Sequence, residues 1–150
     1  MDSVRAWLLH TSSEFLLAVG EQELVEVLAR PRTHYIPRAT GQCHQVIVWR
    51  DRLLPLARPA VLAGLDGGGE HPVFAAVVAY QEAPGEPLQY GALALADAPV
   101  SIQVKAGPAA ELPPLDREVW EGLLLSCFER DGRPVLVVDM EILFTTRPGR

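Results

Sequence analysis

The feature that most constrains this chain is a succession of short, β-prone apolar runs, each closed by turn chemistry. Ala6–His10, Phe15–Val19, Val46–Trp49, Leu53–Leu56, Val73–Tyr80, Tyr90–Ala96, Val100–Val104 and Val135–Val138 are all too short for buried helices and rich in branched or aromatic residues. Between them lie Thr11-Ser12-Ser13-Glu14, Arg50-Asp51-Arg52, the Pro/Gly stretch Gln81–Pro87 and Glu129-Arg130-Asp131-Gly132. Residues of these types reverse the chain within a few positions, so the pattern is that of an all-β sandwich or barrel rather than alternating helices and strands. Val73–Tyr80 has no polar alternation and reads as a strand buried on both faces.

A few segments depart from this rhythm. Leu24, Val27 and Leu28 fall at helical spacing, with Glu21 and Glu23 ahead of them and Pro31 beyond, which predicts a short helical turn leading into Val25–Leu28. Pro31–Gly41 reads as a loop. Arg58–Gly69 ends in Asp66-Gly67-Gly68-Gly69, a flexible tip. Ala106–Asp116 holds three prolines and cannot be regular structure, whereas Val119–Glu129 is apolar up to its hairpin turn. Asp139 stands where an N-cap would, before Met140, Ile142, Leu143 and Phe144, and predicts a short terminal helix followed by a frayed Arg147–Arg150. No repeat and no long linker divides the chain, so residues 1–150 are expected to form one unit.

Composition removes several function classes. The net charge of −6 opposes nucleic-acid binding, which needs excess Lys and Arg, and opposes adhesion to anionic lipid. No apolar stretch is long enough for a transmembrane helix, and Ala6-Trp7-Leu8-Leu9 is too short for a secretory leader, so a cytoplasmic location is expected, without membrane insertion. There Cys43 and Cys127 are expected as thiols, although sequence alone also permits a disulfide between them. Gly67-Gly68-Gly69 lacks the Lys-Ser/Thr of a phosphate loop. The four histidines (His10, His34, His44 and His71) show no metal-ligand spacing, so no metal and no cofactor is expected. Cys43 beside His44 raises a nucleophile, but neighbours on a strand point to opposite faces. Glu26, Asp97, Asp116 and Asp139 are scattered, and nothing in the sequence gathers them.

Gln45-Val46-Ile47-Val48-Trp49-Arg50-Asp51-Arg52-Leu53-Leu54-Pro55-Leu56 resembles the central motif of the CheW family of coupling proteins: Gly, two aliphatics, Asn, Leu, Arg, Gly, any residue, two aliphatics, Pro, aliphatic. Val46, Ile47, Arg50, Leu53, Leu54, Pro55 and Leu56 match. Upstream, Leu24-Val25-Glu26-Val27 is similar to the family's aliphatic-x-Glu-aliphatic element, and the separation of Glu26 from Arg50 (50 − 26 = 24) agrees. Downstream, Val73–Ala79, Tyr90–Leu95 with Asp97, and the hairpin from Gly122 to Leu143 around Asp131-Gly132 continue the likeness. The motif's two glycines are Gln45 and Asp51 here, its Asn is Val48, and Arg58 stands near where an Asp is expected.

The resemblance implies two five-stranded SH3-like β-barrel subdomains sharing a core, with one or two short helices and no active site. It implies a non-catalytic adaptor that binds the regulatory domain of a CheA-type histidine kinase and the cytoplasmic tip of methyl-accepting chemoreceptors, in chemotaxis or in a specialised system such as pilus-driven surface motility. By resemblance Leu24, Glu26, Gln45 and Arg50 face the partners. Glu26 and Arg50 are also expected to pair with each other as a partly buried, bidentate salt bridge. Trp49 is expected in the core, with a partner anchor as the other reading. Two other functions stay open: an SH3-like module for another regulator, and a small enzyme using Cys43 and His44.

Overall fold

The computed structural model describes residues 3–12, 15–36, 45–62, 72–105, 111–112, 115 and 117–145. Expectations for Cys43, His44, His71, Asp116, the triple glycine, the prolines between 106 and 116, and the chain end lie outside the described residues.

The chain forms β1 (Ser3–His10), β2 (Leu16–Gly20), β3 (Leu24–Ala29), β4 (Thr33–Tyr35), β5 (Gln45–Trp49), β6 (Arg52–Ala57), α1 (Pro59–Leu62), β7 (Phe74–Tyr80), β8 (Gln89–Leu95), β9 (Val100–Lys105), α2 (Arg117–Trp120), β10 (Leu124–Arg130), β11 (Arg133–Val138) and α3 (Met140–Thr145). The all-β expectation stands, with three short helices among the described residues instead of one or two. Asp139 Oδ1 accepts from the Ile142 N–H at 3.3 Å and caps α3 as its sequence position predicts.

Two sheets are present. One has five strands in the order β10-β11-β2-β1-β9, the other six in the order β3-β7-β8-β6-β5-β4. They share a plan. In each, two antiparallel hairpins are joined by a single short parallel contact, β2 with β11 in one and β6 with β8 in the other. Neither sheet hydrogen-bonds shut among the described residues. The six-stranded sheet nonetheless curls: its edge strands β3 and β4 are tied by only Arg30, Pro31 and Arg32, a link that spans no more than about 15 Å.

Three apolar clusters fill this frame. Ile47, Trp49, Leu54, Leu56, Ala75, Val77, Ala92 and Ala94 occupy the concave face of the six-stranded sheet. Ala6, Leu8, Leu16, Ala18, Ile102 and Val135 do the same for the five-stranded sheet. The largest lies between the sheets and draws on both, with Leu17, Val19, Leu136 and Val138 facing Ala76, Val78, Leu93 and Leu95. Successive residues of β7 therefore enter different cores, Ala75 and Val77 one, Ala76 and Val78 the other. This is why its sequence reads as an unbroken apolar run.

The helical turn expected over Glu21–Leu28 is replaced by a turn at residues 21–23 and then strand β3. The spacing misleads because β3 carries a bulge: Leu24 pairs with Val78 and Glu26 with Val77, which leaves Val25 as the extra residue. One inserted residue breaks the period of two, so Leu24 packs against the shared core while Leu28 packs inside the six-stranded sheet. The loop expected over Pro31–Gly41 contains the three-residue edge strand β4, paired to β5.

Candidate partner-binding site

The site is built on the β5–β6 hairpin. Trp49 and Arg52 are the last paired residues, so Arg50 and Asp51 alone form the turn. Both sit at left-handed φ, 48° and 62°, as a tight two-residue reversal between twisted strands requires. This backbone demand explains a glycine in the family pattern at the position of Asp51. Beneath the turn, Trp49 is buried in the concave core. The Arg50 guanidinium stands 4.4 Å from the Trp49 ring centroid, Trp49 and Tyr90 rings lie 5.2 Å apart, and Arg52 approaches Tyr90 at 5.4 Å. Cations thus flank an aromatic pair, each contact being individually weak but jointly fixing the tip.

From this perch Arg50 Nη2 donates to Glu26 Oε1 at 3.0 Å, joining the hairpin tip to strand β3 on the far edge of the same sheet. The side chains keep 64% and 38% of their exposure. Arg50 is therefore open to water and Glu26 partly buried, and the pair is made through one contact rather than the bidentate one expected. An exposed pair of this kind contributes about 0–1 kcal/mol, so its value to folding is small.

The other two expected site residues are placed differently. Leu24 is half-buried against the shared core, on the opposite side of the β3 bulge from Glu26. Gln45 is buried, at 6% exposure, and reaches no surface. Its Nε2 donates to Thr33 Oγ1 at 3.3 Å, and its Oε1 accepts from Arg58 Nε at 3.0 Å. Two positions that depart from the family pattern, Gln45 and Arg58, thus satisfy each other. Burial lowers the Arg58 guanidinium below its ordinary value, partly offset by the Tyr35 phenol.

Sequence reading passed over Val48 and Leu53. They face each other across the hairpin and are 55% and 67% exposed, an apolar pair beside the Arg50 turn. The signal was present: with Ile47 and Trp49 inward, Val48 must point out. Glu26, Asp97 and Asp139 do not meet. They engage Arg50, the Ala98 N–H and the start of α3 respectively. Cys127 is a free thiol buried in the shared core, and burial pushes its pKa up from the ordinary value, so it is not disposed to act as a nucleophile. Among the described residues, no group of three His, Cys, Asp or Glu could hold a metal ion, and no helix is long and apolar enough to cross a membrane.

The fold is thus two open β-sheets around a shared core, with an exposed ion pair and an apolar pair beside one hairpin tip. The chain belongs to the CheW-like domain family, whose model matches residues 7–147. Among solved structures it is similar to the crystal structure of the scaffolding protein TtCheW from Thermoanaerobacter tengcongensis. That match has a TM-score of 0.70 at 15% identity and covers 97% of this chain and 94% of the other. Among curated protein sequences, none matches this one significantly.

Proposed function

We propose that this protein is a non-catalytic adaptor that couples chemoreceptors to a CheA-type histidine kinase in chemotaxis-like signalling, working in the cytoplasm. The family match along nearly the whole chain carries the reading. The structural likeness to a scaffolding protein supports the fold that such an adaptor needs. On this reading Glu26 and Arg50 meet a partner directly, with Leu24 two residues before Glu26 on the same strand and Gln45 acting from below by tying β5 to Thr33 of β4 and to Arg58. An exposed ion pair suits this role, because its hydrogen-bonding groups can be re-paired by a partner at little cost to the fold.

The test is titration calorimetry against the regulatory domain of the cognate kinase and against a receptor tip fragment. Arg50→Ala is expected to weaken one of the two complexes at least tenfold while the thermal midpoint stays within a few degrees. Wild-type protein that binds neither fragment at low and moderate salt would refute the adaptor reading and leave an SH3-like module for another regulator.

A further inference from the structure

Strand β8 carries the candidate site on one face and the last helix on the other. Tyr90 faces the concave core, where its ring lies 5.2 Å from that of Trp49 and 5.4 Å from the Arg52 guanidinium. Its neighbour Gly91 faces the shared core, because successive residues of a strand point to opposite sides. There the ring of Phe144, from α3, lies so close to the Gly91 backbone that a Cβ would overlap it. Phe144 also stacks on Tyr80 of β7 at 5.5 Å, and α3 touches β6, the second strand of the hairpin itself. Met140 and Leu143 hold α3 in the shared core. The order through the sheet is therefore Phe144, the β8 backbone at Gly91 and Tyr90, Trp49, and finally the Arg50 guanidinium 4.4 Å from the Trp49 ring centroid.

We infer that Phe144 is a positioning residue for the hairpin site. Seated on Gly91, it fixes Tyr90 on β8 and, through the contact of Tyr90 with Trp49, the place where Arg50 stands. A glycine at 91 makes the contact one of ring against backbone. No flexible side chain lies between them to absorb a displacement, and close-packed groups transmit strain rather than yield to it. The positioning is a property of the chain alone; its effect on affinity rests on the adaptor reading.

The experiment follows the Trp49 indole by nitrogen–proton correlation NMR on the intact chain. The chain has three tryptophans, and Trp49→Phe identifies the signal. The Trp49 indole N–H is buried without a hydrogen-bond partner, so its shift answers to the rings around it. Phe144→Ala and Gly91→Ala should each move that signal beyond its linewidth. Phe144→Leu, which returns an apolar group to Gly91, should fall between Phe144→Ala and wild type, and carries the test should Phe144→Ala fail to fold. Ile102→Ala loosens the core of the five-stranded sheet alone and should leave the signal in place. By calorimetry, Phe144→Ala and Gly91→Ala should weaken at least threefold the complex that Arg50→Ala weakens. An unmoved signal in the Phe144 and Gly91 variants, or an equal movement in Ile102→Ala, would overturn the positioning role. So would a moved signal with unchanged affinity for a fragment that binds, since Arg50 would then stand where it did. If the signal moves as expected while wild-type protein binds neither kinase nor receptor fragment, the positioning stands and the adaptor reading falls.

Discussion

At the scale of single residues, side chains placed near one another differ in what they do. Glu26 and Arg50 touch across 24 residues of chain but stand in water. A double-mutant cycle of Glu26→Ala and Arg50→Ala should return a coupling below about 1 kcal/mol in denaturant melts, and a coupling of 3 kcal/mol would mean a buried pair instead. Gln45 and Arg58 are the opposite case. Arg58→Ala removes the bond that Arg58 Nε gives to the buried Gln45 Oε1, and should cost about 1–3 kcal/mol. Gln45→Gly with Arg58→Ala should then lose less than the sum of the single changes, because each single change already removes the bond the two residues share. Cys127 supplies a pH test. Its raised pKa means the folded state prefers the neutral thiol. The stabilisation is complete below the ordinary value of 9.0 and is lost as pH climbs through the higher folded value. Stability measured on Cys43→Ser protein should therefore fall above about pH 9, less so when Cys127→Ala is added.

At the scale of elements, the hairpins were legible and the edges were not. Glu129-Arg130-Asp131-Gly132 and Arg50-Asp51-Arg52 announced turns, and the structure narrows each to two residues, with Asp131 and Gly132 at φ 52° and 77° as such a reversal requires. Asp51 pays a steric penalty at φ 62° that glycine would not, so Asp51→Gly should raise stability by about 0.5–1 kcal/mol in urea melts. β3 was misread because its bulge imitates helical spacing, and β4 because three residues beside prolines carry no period. The glycine that interrupts β8 had a reason only the structure supplies. A Cβ on Gly91 would overlap the ring of Phe144, which stacks on Tyr80 at 5.5 Å. Gly91→Ala should displace α3 and cost about 1–3 kcal/mol, seen as a lowered melting point. Of the site, Glu26 and Arg50 were legible through motif and spacing. The burial of Gln45 and the outward Val48 followed from strand alternation once Ile47 and Trp49 face inward, but the pairing of Val48 with Leu53 depended on the two-residue length of the turn.

At the scale of the whole molecule, the shared core decides whether the two sheets can melt apart. Leu93 and Leu136 are essentially inaccessible and come from different sheets into one cluster. Leu93→Ala should cost about 2–5 kcal/mol and still unfold in one transition by both tryptophan fluorescence and far-ultraviolet dichroism. Two separated transitions would mean that the sheets are independent units. The interleaved order of the strands has a further consequence, in time. The six-stranded sheet is drawn from one continuous stretch, β3 through β8, whereas the five-stranded sheet needs β1 and β2 from one end and β10 and β11 from the other. β11 begins 113 residues after β2 ends (133 − 20), a delay of about 6–23 s on a ribosome. In the last part of that interval, once β8 and β9 have been made, the six-stranded sheet is complete while the apolar hairpin β1–β2 has only β9 of its own sheet to cover it. The hairpin β1–β2 is therefore the part of the five-stranded sheet that waits longest, open to chaperones and proteases, for its remaining partners.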